Sequence, residues 1–454
     1  MSLFVYSLIK IFKNTIRMGH LAGKDIYKKL GSKIDNMPYR INKSSTLYTI
    51  LKELYSRDEA ELVVKLPYQL STIGEIRNET GFEEKKLRPL LNSLCAKGLV
   101  ADLWIKDDYY YTPSPMVVGI FELTMMRTGK DANSKRMAEL FHEYMNDENS
   151  LAVNFSHHEQ ISPLRTLPHE GTIHESCYTE VLDYEKAKSI VESHDRFAIG
   201  ICSCRHEKLH MGEKECDTPL DTCASMGTTV DFMVRNNFAK EVSKTEMHET
   251  LARSKEMGLV FTCDNVRNNV SFICQCCKCC CNALRGISKY GYENAVVTSS
   301  FIANADLETC IGCGKCEKAC PIGAIEMIPS ENGMKKRKQI PKIDTSFCIG
   351  CGVCALQCTK TNSIKLIKRK KRVIHPENSF ERIILQSLER GTLQHQLFGN
   401  PKNISQKFLK GFIGGFLSLG PVQKALISDK FRSSFLETLK KGVIRNGREF
   451  VLDL

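Results

Sequence analysis

Two runs of cysteine share one spacing: Cys310, Cys313, Cys316 and Cys320, then Cys348, Cys351, Cys354 and Cys358. Each reads Cys-x2-Cys-x2-Cys-x3-Cys, and Pro321 follows the first. Three thiolates at that spacing wrap one iron–sulfur cube, while the fourth points away and completes the cube of the other run. The expected cofactors are therefore two 4Fe-4S clusters, one on Cys310, Cys313, Cys316 and Cys358, the other on Cys320, Cys348, Cys351 and Cys354. Structural zinc is the competing chemistry. It needs Cys-x2-Cys knuckles separated by a loop, and has no use for a third and fourth thiol following so closely.

A second group of thiols lies upstream. CSCRHEKLHMGEKECDTPLDTC carries Cys202, Cys204, Cys216 and Cys223, with Arg205 directly after the first pair. Four thiols in so short a stretch can close one metal site, and Arg205 can donate hydrogen bonds to its sulfurs. CQCCKCCC then packs Cys274, Cys276, Cys277, Cys279, Cys280 and Cys281 together. One tetrahedral zinc cannot use six thiols, and adjacent cysteines form strained disulfides at best. These ten residues are read as ligands of one or two additional iron–sulfur clusters, the second stretch holding an unusual cluster or sharing thiols with the first. Cys95, Cys177 and Cys263 are read as isolated thiols, Cys95 in a helix core. His157, His158, His169 and His174 lack a matching helical spacing and are read as surface residues. No catalytic constellation is recognised, and catalytic residues stay unassigned.

CIGCGKCEKACPIGAIEMI and CIGCGVCALQCTKTNSIKLI resemble the two half-repeats of a bacterial-type two-cluster ferredoxin, over about Phe301 to Ile367. The resemblance implies a small α+β module, each half giving a short helix and paired strands, and one-electron transfer as its activity. Gly312, Gly314, Gly350 and Gly352 suit a backbone that turns tightly around cluster sulfurs. Thr359 departs from the family's second proline, and the 27 residues between Cys320 and Cys348 contain a longer hairpin turning at Asn332-Gly333.

The rest of the chain must position these thiols. At 454 residues it has room for several domains. Its 21 cysteines are an odd number and crowded, which argues for cofactor binding in a reducing cytoplasm and against a secreted disulfide scaffold. The first residues have neither the basic start nor the cleavage site of a signal peptide. Val5, Leu8, Ile9, Phe12 and Ile16, with Lys10, Lys13 and Arg17 on other faces, predict an amphipathic helix within 1–44. From Ser45 to Pro115, a stripe of Leu47, Ile50, Leu51, Leu54 and Tyr55 predicts a first helix. A Thr72–Glu75 capping box opens a second, stopping near Gly81, and Leu87, Leu90, Leu91 and Leu94 line a third, ended by Gly98. A hairpin from Leu99 to Tyr111 is expected to turn at Asp107-Asp108. That order resembles a winged helix-turn-helix, assigned to 45–125, although Glu83 and Glu84 put acids where a DNA-reading helix meets phosphate.

A mixed region, 126–195, is loose around Ser156 to Gly171 and precedes the cysteine-rich domain, 196–300. The ferredoxin module, 301–372, and a helical tail, 373–454, complete the multidomain α+β expectation. In the tail Phe408, Leu409, Phe412, Ile413 and Phe416 form an apolar face, with Gly411, Gly414, Gly415 and Pro421 expected to prevent a long helix. The net charge of +12 falls to about +8 once two cubes, each about −2 with its thiolates, are counted. Lys335 to Lys338 and Lys368 to Arg372 concentrate basic charge at the module, which suits an acidic redox partner before nucleic acid or anionic lipid.

The order of winged helix, Cys-x-Cys-Arg segment, clustered cysteines and ferredoxin repeats, with VLDYEKAKSIVE before CSCRH and ERIILQSLERGTLQHQLF after the repeats, resembles a group of 4Fe-4S dicluster-domain proteins of anaerobes. The expectation is an iron–sulfur electron carrier or redox-complex subunit. A reductase using an additional cluster between Cys202 and Cys281, and a redox-responsive DNA regulator, are its alternatives. The expected location is cytoplasmic, with peripheral membrane contact as the variant.

Overall fold

The computed structural model describes residues 25–129, 133–155, 159–330, 337–370, 373, 375–398, 404–417, 419–428 and 430–454, with backbone alone for 404–410. The expected N-terminal helix, His157 and His158, the Asn332-Gly333 turn, Lys335, Lys336, Lys371 and Arg372 lie outside the described residues, as do the side chains of Phe408 and Leu409.

Helices Ile26–Asp35, Ser45–Leu54, Arg57–Lys65, Ile73–Thr80 and Glu84–Ala96 surround a small antiparallel sheet of β1 (Ser71–Thr72), β2 (Val100–Ile105) and β3 (Asp108–Pro113), in the order β1-β3-β2. The Thr72–Glu75 capping box forms as expected, and Gly81 ends that helix in the left-handed region. Helix Arg57–Lys65 was not anticipated; a second capping box, Ser56 with Glu59, starts it immediately after Tyr55. The hairpin turn falls one residue earlier than expected, at Lys106 and Asp107, both at positive φ as a tight two-residue turn requires. Glu59, buried, accepts from Lys97 Nζ at 2.8 Å and from Ser93 Oγ at 2.7 Å, tying two helices together. This core does not stop near 125. It continues through Phe141 and Met145 of helix Ser134–Asn146 and takes in Phe232 and Phe238.

The central region is a six-stranded antiparallel sheet of β4 (Leu164–Leu167), β5 (Phe197–Ile201), β6 (Asp221–Met226), β7 (Ala239–Val242), β8 (Val260–Asp264) and β9 (Phe272–Cys276), ordered β4-β8-β9-β6-β5-β7. β4 lies in a stretch read as loose. Side chains alternate faces along a strand. One face, with Leu167, Phe197, Ala224, Met226, Phe261, Cys263 and Ile273, packs on helices Ala187–Glu192 and Lys244–Glu256. Cys223 and Cys274, register partners on β6 and β9, must therefore point to the opposite face, with Cys276 two residues on. Cys263 pairs with Ile273 and is kept from them.

The module adds β10 (Phe301–Ala305), β11 (Ile325–Pro329), β12 (Gln339–Ile343) and β13 (Ile364–Lys368), with β10 on β13 and β11 on β12, both antiparallel. The tail is a helical cluster around Leu385, Leu388, Leu417 and Leu436. Its helix Ile404–Leu417 runs through Gly411, Gly414 and Gly415, contrary to expectation; a Cβ on Gly414 would stand 2.9 Å from Gln394 Cγ, so close packing uses the glycine. Phe412 is 70% and Phe416 55% exposed, and the expected apolar face is only partly covered. The chain end returns to the first sheet, where Phe450 lies 4.8 Å from the Tyr110 ring. Among the described residues no helix is long and apolar enough to cross a membrane.

Candidate metal centres

The two halves of the module repeat one construction. Helix Lys315–Ala319 follows Gly314 and helix Val353–Leu356 follows Gly352, each glycine in the left-handed region. Two further glycines allow close backbone approach. A Cβ on Gly312 would lie 2.3 Å from Gln339 O of β12, and one on Gly350 would lie 2.1 Å from Phe301 O of β10. Arginines brace the first cysteine of each half: Arg337 donates to Cys310 O at 2.6 Å, and Arg369 donates to Cys348 O. The basic runs thus turn inward in part, and Lys368 also pairs with Glu180. Lys338 and Lys370 stay exposed.

Cys320 lines one cavity with Cys348, Cys351 and Cys354, together with Ala303, Ile325 and Leu366. The fourth thiol of the first run therefore stands beside the first three of the second. Cys316 is nearest in charge terms to Cys310 and Cys313, and Cys354 feels Cys351, Cys348, Cys320 and then Cys316, so the two sites adjoin. Cys358 contacts Thr361 Oγ1 at 3.7 Å. Burial pushes the Cys316, Cys348, Cys351 and Cys354 thiols up. Backbone N–H groups already point at sulfur, Gly312 at Cys310 Sγ (3.4 Å) and Ala324 at Cys320 Sγ (3.2 Å). Donor set, glycine cradle and N–H···S bonds all fit the cubes. Cys313 is exposed and Cys348, Cys351 and Cys354 are buried, so the first site faces solvent and the second the interior.

The upstream thiols divide differently from their order in the chain. Cys202 stands at the N-cap position of helix Ser203–His210, directly after β5, and Cys204 lies in its first turn. Hydrogen bonds link Cys204 to Cys281, Cys281 to Cys276, Cys276 to Cys274 and Cys274 to Cys223, and Cys202 lies within electrostatic reach of Cys204 and Cys223. Thr262 Oγ1 lies 3.5 Å from Cys276 Sγ. Burial pushes Cys202 up to about 12, while hydrogen bonds led by Cys274 bring Cys276 down to about 6. Cys216 leaves its sequence neighbours and joins Cys277, Cys279 and Cys280, all four Sγ atoms lying within 4.8 Å of one another. Cys277 is brought down to about 4, first by a hydrogen bond from Cys280, with Arg205 also contributing.

Arg205 is fully buried between the two sets. It donates to Thr222 Oγ1 and Gln275 O, and Cys202, Cys277 and Cys276 all favour its charge. Sequence reasoning singled out Arg205 but missed Thr262 and the regrouping of Cys216, for which only strand register and loop path carry a signal. His169 is a correction, because it is 2% exposed and not on the surface. Its Nε2–H donates to Leu259 O at 2.8 Å and its backbone N–H to Cys351 O at 3.0 Å. His174 stays exposed against Ser176. Cys95 is buried in the first core, and Cys177 is half-buried.

Fold and thiol geometry together define a ferredoxin-like iron–sulfur module. Residues 309–362 match the family model of the 4Fe-4S dicluster domain. No curated protein and no solved structure matches the chain.

Proposed function

We propose that the chain is an electron-transfer protein, or a subunit of a redox complex, with two interleaved 4Fe-4S clusters on Cys310, Cys313, Cys316, Cys358 and on Cys320, Cys348, Cys351, Cys354. A further cluster is drawn from Cys202, Cys204, Cys223, Cys274, Cys276 and Cys281. One observation carries this reading: a single continuous core unites Cys276 and Cys281 with Cys316, Cys320, Cys348, Cys351 and Cys354. Bound clusters supply one-electron chemistry. The chain's own part is to exclude water, hold the ligands, and expose only the Cys313 end to a redox partner. The exposed Lys338 and Lys370 favour an acidic one.

The first domain is read as a winged helix used for docking. Against DNA reading, Lys86 pairs with Asp58 at 2.8 Å and Arg88 with Glu84 at 2.6 Å, removing positive charge from helix Glu84–Ala96. The hairpin is also engaged, Lys106 with Glu449 at 3.0 Å.

The test is iron and sulfide analysis with EPR on the anaerobically purified full chain. At least eight irons, and about twelve with a further cube, support the reading. Roughly two zinc ions with little iron after reconstitution contradict it.

A further inference from the structure

The Cys216, Cys277, Cys279 and Cys280 group is the one set of cysteine, histidine, aspartate or glutamate ligand atoms, among the described residues, that converges within 4.8 Å. Cys279 Sγ lies 3.8 Å from Cys277 Sγ and 3.5 Å from Cys280 Sγ. Four thiolates around one ion, each bond about 2.3 Å, stand about 3.8 Å apart at the corners of a tetrahedron. The thiolates of a cube each bind a different iron and stand roughly 6 Å apart. The observed spacing is that of one ion. Within it, Cys277 and Cys280 form a Cys-x2-Cys knuckle, while Cys216 arrives on a separate loop after helix Ser203–His210, as a closed structural site requires. Leu259 packs against the group, Cys277 and Cys280 are buried, and Arg205 offers positive charge to a centre that four thiolates and a divalent ion leave at about −2.

We propose that Cys216, Cys277, Cys279 and Cys280 bind a single tetrahedral metal ion, zinc or mononuclear iron, and not a four-iron cube. The site closes the turn whose flanking residues, Cys276 and Cys281, face the other thiol set, and Lys278 on that turn reaches Lys318 O of the module at 3.4 Å. The ion is a structural pin. Its nuclearity is read independently of the cluster iron, so the proposal stands or falls apart from the electron-transfer reading.

The experiment is metal analysis, X-ray absorption at the zinc and iron edges and Mössbauer spectroscopy on the anaerobically purified full chain, followed by the same on Cys216→Ser. One zinc per chain with four sulfurs at about 2.3 Å and no metal–metal scattering supports the proposal in its zinc form. One isolated high-spin iron beside the cluster iron supports it in its iron form. Cys216→Ser should remove that single ion while the EPR signals of the module's two cubes persist. Wild-type protein with neither ion overturns the proposal, as does a Cys216→Ser chain that loses about four irons or loses no metal. Should Cys216→Ser not accumulate, the wild-type spectra alone decide.

Discussion

Replacing Gly350 with alanine separates backbone strain from steric overlap in the ligand loop between Cys348 and Cys351. Gly350 has φ +68°, where an L side chain costs about 1–2 kcal/mol. Its new Cβ would also stand 2.1 Å from Phe301 O and 2.3 Å from Ser299 Oγ, so the loop must withdraw from β10. Withdrawal strains the Ser299 N–H to Ile349 O bond (3.0 Å) and the Ser299 Oγ to Gly350 O bond (2.8 Å). At about 1–1.5 kcal/mol each, those two bonds bring the cost to about 3–5 kcal/mol. Gly323 is the control. It has φ +74° and nothing within 4 Å of a new Cβ, so Gly323→Ala should cost only the conformational 1–2 kcal/mol, roughly. If clusters are lost through local opening, chelator-driven loss from the second site should accelerate about 100- to 5,000-fold in Gly350→Ala and about 10-fold in Gly323→Ala. The assay is the decay of cluster absorbance and EPR amplitude under excess chelator without oxygen. Equal decay rates in the two variants would refute the close approach of this loop to β10.

Burial lowers His169 from 6.5 to about 4, so between those pH values the unfolded chain binds the proton that the folded one refuses. Stability is therefore complete above pH 6.5 and falls as pH drops toward 4, by up to about 3 kcal/mol. Hydrogen-exchange protection along β4 and β8, corrected for the intrinsic exchange rate at each pH, should fall across that window in wild type and much less in His169→Gln; identical profiles would count against the buried neutral imidazole. Arg205→Gln removes a fully buried guanidinium and leaves Gln275 O and the nearby thiolates uncompensated, a cost of about 3–5 kcal/mol. It should strip metal from the region Cys202 to Cys281 and spare the module's EPR signals, whereas full metal retention would show that Arg205 does not hold the two thiol sets together.

The module was legible because its ligands are local: x2, x2 and x3 spacings lie within one loop and one short helix, and Gly312 and Gly350 mark where that loop meets a strand. The upstream thiols were legible as ligands but not as sets. Cys223 meets Cys274 only through the pairing of β6 with β9, and which face a strand residue takes is settled by register, which a stretch as short as DTCASM does not reveal. Cys216 sits on a loop with no periodicity to place it. His169 reads as polar and loop-borne, yet β4 adds to the sheet edge and buries it. Helix Arg57–Lys65 had a readable signal in Ser56 and Glu59, overlooked because Tyr55 already ended a complete stripe. Gly411, Gly414 and Gly415 do not break helix Ile404–Leu417; a Cβ on Gly414 would crowd Gln394, whereas one on Gly411 or Gly415 would meet nothing within 4 Å.

The interleaving of the two cubes is tested most directly by removing one ligand from each run and asking which cluster suffers. Cys320 shares its cavity with Cys348, Cys351 and Cys354. Cys320→Ala and Cys348→Ala should therefore damage the same, buried cluster, leaving the EPR and Mössbauer signature of the cluster on Cys310, Cys313, Cys316 and Cys358 in place. If the two substitutions damage different clusters, each run of four closes its own site, and the interleaved assignment is wrong.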